Sequence, residues 1–195
     1  TKAWFGGLLL ALTCLAFGAA SWAYQIHQGL GVAGYNPPVM WGVYIITFVF
    51  WVGIGHAGTL ISAILYLFRA GFRTTIYRAA EAMTVFAVMT AGLFPIIHIG
   101  RPWKFFWLIP YPNWRLIWPN FKSPLVWDVF AITTYLTIST TFLFVGLIPD
   151  IAVLRDRETN PLRKHILSVL SFGWRNSERE WRHFARAYLF LAAFS

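Results

Sequence analysis

The sequence predicts an all-α integral membrane protein, a polytopic bundle of transmembrane helices with four complete spans and the start of a fifth. Composition is the first reason: of 195 residues, 58% are hydrophobic and only 12% charged, well outside the balance of a soluble domain. Mean hydropathy of +0.58 agrees. The third reason is pattern, because the charges fall in short clusters between uncharged runs. Those runs match the roughly 20 apolar residues that a helix needs to cross a hydrocarbon core about 30 Å thick.

The first run, Trp4 to Tyr24, is read as a span. A cleaved signal peptide fits less well, since the apolar character continues past Gly18, Ala19, Ala20 and Ser21 and signal cores run only about 7 to 15 residues. The second span is 41–68, Trp41 to Phe68. The third is 79–98, with an uncharged stretch Ala82 to His98 and Glu81 at its mouth. Pro124 to Ile148 is the fourth. A fifth begins near Ala185 and reaches only Ser195, about half of a crossing. Residues 1–195 are therefore expected to form a single membrane domain and to be a fragment of a longer chain.

Two connectors carry their own signals. Residues 99–123 hold four prolines and Trp103, Trp107, Trp114 and Trp118, with Trp127 just beyond, the composition of an interfacial aromatic belt. In the hydrophilic stretch 149–184, Leu162, Ile166, Val169 and Leu170 recur at helical spacing opposite Arg163 and Lys164. That pattern suits a helix lying on the membrane interface, or a solvated connector.

Twelve Lys and Arg fall on the side of the N-terminus and the 69–78 and 149–186 segments, against four between 99 and 123. The positive-inside rule then puts the N-terminus in the cytoplasm and the 99–123 loop on the periplasm-like face. A net charge of +9 does not indicate nucleic acid, because no single basic face gathers it. The lone Cys14 excludes a disulfide framework, and an iron–sulfur cluster or structural zinc held by this chain alone. No metal or haem is expected on the chain, and any redox centre must come from a partner.

Ionisable groups inside spans cost about 2.5–3.5 kcal/mol each at mid-helix and are functional candidates by default. His56 lies in a small polar patch with Gly53, Gly55, Gly58, Thr59 and Ser62, 13 residues above Arg69, or about 20 Å at the helical rise. Thr59 and Ala63 share its face. In the third span Glu81, Thr84, Val88, Ala91, Pro95 and His98 fall within an arc of about 100°. In the fourth, Asp128 has Tyr135, Ser139 and Gly146 on its face. Plainer roles stand beside these: glycines and Thr137, Ser139, Thr140 and Thr141 as helix-packing contacts, Arg101 and Lys104 snorkelling to headgroups, Asp128 pairing with Arg101, and His56 hydrogen-bonded between helices. A bis-histidine haem on His56 and His98 is disfavoured by their separation, about 10 Å along the membrane normal.

Four blocks carry a family resemblance. They are Val52-Gly53-Ile54-Gly55-His56-Ala57-Gly58-Thr59-Leu60-Ile61-Ser62-Ala63, Arg78-Ala79-Ala80-Glu81-Ala82-Met83-Thr84, Phe94-Pro95-Ile96-Ile97-His98-Ile99-Gly100-Arg101-Pro102-Trp103 and Ser123-Pro124-Leu125-Val126-Trp127-Asp128-Val129-Phe130. The sequence resembles the polysulfide-reductase-type (NrfD-like) membrane subunits, and within them the quinol-oxidising C subunits of bacterial alternative complex III. The resemblance implies an NrfD-like four-helix bundle in a multi-pass protein of the bacterial inner membrane. It implies quinol, menaquinol in particular, bound near the periplasmic face by His56, Thr59, Arg101 and Asp128. A proton pathway would use Glu81, Thr84, His98 and Tyr135. The implied partners are an iron–sulfur subunit on the periplasmic side, c-type cytochrome subunits carrying haem, a second NrfD-like membrane subunit, and cytochrome c or a terminal oxidase, with membrane lipid around them.

Quinol oxidation needs a proton acceptor for each hydroxyl, an apolar slot and a nearby electron acceptor. The expected assignment makes His56 and Asp128 catalytic: His56 takes a proton, Asp128 relays it outward, Arg101 keeps Asp128 ionised, and Thr59 hydrogen-bonds the ring oxygen. The alternatives are a non-redox proton-conducting bundle using Glu81, His98 and Asp128, and a structural anchor within a membrane complex.

Overall fold

The computed structural model describes residues 2–35, 42–112 and 115–194, with the side chains of 73–75 outside the description. The expected start of the second span at Trp41, the belt residue Trp114 and the end of the fifth run at Ser195 lie outside the described residues. Helices account for nearly all of the rest: α1 Lys2–Gln28, α2 Val43–Leu67, α3 Arg73–His98, α4 Pro124–Arg157, α5 Pro161–Leu170 and α6 Glu178–Phe194, with short 3-10 turns at Leu30–Ala33 and Pro102–Leu108. Among the described residues there is no strand. Four helices are long and apolar enough to cross a membrane: Lys2–Gln28, Val43–Leu67, Ile76–His98 and Pro124–Arg157.

The chain divides into two compact units, residues 1–49 with 91–129, and residues 50–90 with 130–195. In the first unit α1 buries only Gln25. The Gln25 amide donates to the Ile97 carbonyl at 3.4 Å and its oxygen accepts from the Tyr44 hydroxyl. α3 ends where Gly100 takes φ +76, and a Cβ there would meet Leu30 at 3.3 Å. Left-handed backbone and close approach together call for glycine. The Trp127 indole donates to the Phe121 carbonyl at 2.8 Å, pinning the end of the aromatic connector to the start of α4.

The second unit is built on the closest approach of α2 and α3. Gly55 and Gly58 bring the backbones together: a Cβ on Gly58 would stand 2.5 Å from Thr84 Oγ1 and 2.7 Å from the Ala80 carbonyl. Gly53, by contrast, faces open space, so of the three glycines expected to pack it alone does not. Ala63, Phe142, Tyr188 and Ala192 form the apolar core, flanked by Tyr66, Tyr77, Val145, Phe184 and Leu191. The hydroxyls of α4 divide similarly. Only Ser139 is buried, whereas Thr137 and Thr141 each donate to the carbonyl one turn back at 2.7 Å. A hydroxyl satisfied by its own helix can face lipid, so these threonines are not the expected packing contacts.

α4 does not stop at Ile148. It continues through Pro149 to Arg157, because the turn is braced from outside. Arg78 donates to the Gly146 carbonyl and pairs with Asp150 at 3.1 Å, holding the helix on both sides of the missing proline N–H. α5 begins at Asn160, whose side chain accepts from the Leu162 and Arg163 amides, with Pro161 in the first turn. Its Leu162, Ile166, Val169 and Leu170 are exposed together, as expected for an interfacial face. Arg155 ties the end of α4 to the turn after α5 through Ser171 Oγ at 3.2 Å and the Trp174 carbonyl at 2.8 Å. α6 starts at Glu178, before the apolar run near Ala185, because Ser177 and Glu180 form a capping box.

Candidate functional site

His56 sits on the exposed edge of α2. Its Nδ1 lies 2.8 Å from the Val52 carbonyl one turn back. A carbonyl only accepts, so in the neutral ring Nδ1 carries the hydrogen and Nε2 is left as a bare acceptor. The imidazole stacks on Tyr135 with centroids 4.8 Å apart and planes 21° from parallel. One hydrogen bond and one stacked ring thus fix both its tautomer and its plane.

Behind that ring runs a chain of hydroxyls. Tyr135 Oη is 2.8 Å from Thr59 Oγ1, Thr59 Oγ1 is 3.2 Å from Thr84 Oγ1, and Thr84 Oγ1 reaches the carbonyls of Ala80 and Gly55 at 3.1 and 3.2 Å. The order of donation follows from counting protons. Thr84 has one hydrogen and gives it to a carbonyl, so it accepts from Thr59, which in turn accepts from Tyr135. Every donor in the row points inward, and the row ends on backbone.

One turn further along α2 and α3 lies a second cluster. Glu81 is buried, and its Oε1 accepts from Ser62 Oγ at 3.0 Å and from the Tyr188 hydroxyl. Arg78 stands 3.6 Å from Glu81 Oε2 and 3.1 Å from Asp150. Tyr188 is held by Phe142, Phe184 and Tyr66, with centroids 4.5, 5.4 and 4.7 Å away. Between the two clusters along α4, Ser139 Oγ is buried without a hydrogen-bond partner. The charged cluster therefore spans from the middle of the unit to an exposed carboxylate at Asp150.

Of the residues expected to matter, His56, Thr59, Thr84 and Tyr135 form one connected group, and Glu81 belongs to the cluster beside it. His98, Arg101 and Asp128 lie in the other unit. There the Tyr35 ring meets His98 edge-on at 5.5 Å, and His98 Nδ1 is buried without a hydrogen-bond partner. The expected Arg101–Asp128 ion pair is not formed: among the described residues, ion pairs join Arg78 to Glu81 and Asp150, Arg155 to Asp156 and Arg182 to Glu178. Arg101 stays exposed in the turn before Pro102, whereas Asp128 sits half-buried one turn into α4, where the positive end of the helix favours its charge without a partner. No three His, Cys, Asp or Glu side chains converge among the described residues. Sequence reasoning missed Arg78, Asp150 and Tyr188. Arg78 falls three residues before Glu81, on the same helical face, and that spacing was the available signal.

The polysulphide reductase NrfD family matches residues 31–194. The chain belongs to that family. Its curated relatives are membrane subunits of oxidoreductase complexes. One carries the name of a dimethyl sulfoxide reductase C-type membrane component, from Halobacterium salinarum, and is 28% identical over 80% of this chain and 34% of its own length. Another is the C subunit of selenate reductase from Mesobacillus selenatarsenatis, 23% identical over 88% of the chain and 40% of its own length. A third is the Hdr-like menaquinol oxidoreductase integral membrane subunit of Archaeoglobus fulgidus, 25% identical over 71% and 32%. The chain spans between about a third and two fifths of the length of these relatives. As an NrfD membrane protein it takes part in a complex with at least one associated subunit.

Proposed function

We propose that this NrfD protein binds and oxidises quinol within a respiratory quinol:cytochrome c or quinol:acceptor oxidoreductase, close in kind to the C subunit of alternative complex III. The observation that carries the reading is the His56 ring, an imidazole locked with a bare Nε2 at the edge of a membrane helix. Quinol supplies two electrons and two protons as it is oxidised, and electron transfer requires the proton to leave the hydroxyl. His56 Nε2 accepts that hydroxyl hydrogen, and the Val52 carbonyl stabilises the imidazolium that results. Tyr135 holds the ring plane, and Thr59 holds Tyr135. Arg101 and Asp128, carried by the other unit, are assigned to quinol binding and outward proton relay by the family resemblance alone.

The Archaeoglobus fulgidus relative's name supports menaquinol as the donor. The electrons pass to an iron–sulfur subunit on the periplasmic side, then to c-type cytochrome subunits and to cytochrome c or a terminal oxidase, with a second NrfD-like subunit alongside. In this reading the protein lies in the bacterial inner membrane with its N-terminus in the cytoplasm. The test is quinol-dependent cytochrome c reduction by the native assembly, comparing unaltered protein with His56→Ala at equal assembly and equal iron–sulfur and haem content. The expected loss is more than about tenfold, the scale of a lost general base. Unchanged turnover refutes the assignment.

A second reading is favoured by the Ser62, Glu81, Tyr188, Arg78 and Asp150 cluster, which is a set of proton-exchanging groups inside apolar spans. In it the protein conducts protons without redox chemistry. Proton flux in liposomes carrying the complex without quinone supports it, and a tight membrane removes it.

A further inference from the structure

A cavity of about 590 Å³ opens where α2 ends, lined by Tyr66, Leu67, Arg69, Ala70 and Gly71 from the turn and by Ala185 and Leu189 from α6. We propose that this cavity is a binding site for an anionic phospholipid headgroup, with Arg69 as its phosphate-binding cation. Three features of the chain converge on it.

The first is backbone. Arg69 has φ +53, the left-handed position that closes a helix and that glycine occupies without penalty. The turn is closed by the Ala70 amide on the Leu65 carbonyl at 3.1 Å. An arginine there holds its side chain over the cavity at the expense of a strained residue, while Gly71 two positions on leaves the backbone open to close approach. The second is charge. No described ion pair engages Arg69, and the first turn of α3 contains no acid, so the positive end of that helix is not neutralised locally. On α6, Arg182 and Arg186 flank the lining residues Ala185 and Leu189, and the one carboxylate nearby, Glu178, pairs with Arg182 at 3.8 Å.

The third is depth. Leu67 ends one candidate span and Ile76 begins the next, so the turn between them lies at the level of lipid headgroups. Leu67, Leu189 and the Tyr66 ring offer an apolar wall below the cation, suited to an acyl chain. A phosphodiester at the headgroup with a hydrocarbon tail beneath it satisfies both parts, which a free phosphate does not. The site is independent of the quinol assignment, since it uses none of His56, Thr59 or Tyr135.

The experiment uses the purified complex, stripped of endogenous lipid in detergent and titrated with phosphatidylglycerol or phosphatidylcholine while native mass spectrometry counts bound lipid. Unaltered protein is expected to prefer phosphatidylglycerol, and Arg69→Gly to weaken that binding at least about fivefold. Arg69→Gly also relieves the left-handed strain, so its melting temperature is expected to hold or rise, separating lost lipid from lost folding. Arg69→Gln provides the same loss of charge should the glycine variant assemble poorly, and Arg69→Lys is expected to retain most binding. Equal retention by Arg69→Gly or Arg69→Gln, or no preference between the two lipids, overturns the proposal. Displacement of phosphatidylglycerol by millimolar inorganic phosphate overturns it too, by making this a free-anion site.

Discussion

Adding one methyl group at Gly58 tests whether the α2–α3 contact holds the polar chain together. In Gly58→Ala the new Cβ would stand 2.5 Å from Thr84 Oγ1, 2.7 Å from the Ala80 carbonyl and 3.0 Å from the Met83 methyl. The methionine can swing away, but the carbonyl is backbone of α3 and cannot, so the helices must separate by several tenths of an ångström. Overpacking of that kind costs about 2 kcal/mol. Separation also stretches Thr59–Thr84 and Ser62–Glu81, now 3.2 and 3.0 Å, each worth about 1 kcal/mol when buried. The expected destabilisation is about 4 kcal/mol. Gly53→Ala is the matched control, since nothing lies within 4 Å of its Cβ and alanine suits a helix better by up to about 1 kcal/mol. The assay is thermal unfolding of both variants in the same nanodiscs, scored by loss of assembled complex. If Gly58→Ala melts within error of Gly53→Ala, the close approach is not what positions these hydroxyls.

Gly146→Ala puts a methyl into the Arg78 guanidinium and 3.3 Å from Glu81 Oε2; displacing a partly buried cation from a buried carboxylate is expected to cost about 3 kcal/mol, read as a lower melting temperature that Gly7→Ala in α1 does not share. Tyr188→Phe removes one of the two hydroxyls donating to Glu81 Oε1 while keeping the ring in its aromatic pocket, and a loss of about 2 kcal/mol is expected; a variant as stable as the parent would show that the hydroxyl contributes nothing. At the start of α6, hydrogen bonds from the Ser177 and Arg175 amides hold the Glu180 carboxyl below the usual carboxylate range. Its depressed folded value means that the cap is fully stabilising above the unfolded pKa and is lost as pH falls through the folded one. Hydrogen exchange at those two amides, corrected for intrinsic rates, should therefore lose protection on acidification, and Glu180→Gln should flatten the response.

The spans, the buried arc of α3 and the exposed apolar stripe of α5 were all legible in the sequence, because each follows from periodicity and charge exclusion. His56 was legible as a histidine out of place in lipid, and Glu81 likewise. The tautomer of His56 was not, since it depends on a carbonyl four residues back being within 2.8 Å. Counting Arg78 as a loop cation hid its role: a snorkelling arginine and one folded back onto Glu81 and Asp150 have the same sequence. The end of α4 was misplaced because Pro149 and Asp150 read as a helix stop unless a distant guanidinium is known to brace them. Arg101 and Asp128 invited pairing by charge alone, and the helix start at Pro124 satisfies the aspartate instead.

The bond between Tyr188 and Glu81 joins residues 107 positions apart, which sets an order on biogenesis. By the time α2, α3 and α4 have left the ribosome, Glu81 has Ser62 and Arg78 but still lacks its aromatic donor. The nascent protein at that stage carries an acidic side chain half-caged within the bilayer, and only the arrival of α6 closes the cage. Chains stalled or cleaved between Arg157 and Tyr188 would be left with an exposed membrane acid, a feature by which quality control can tell an unfinished molecule from a finished one.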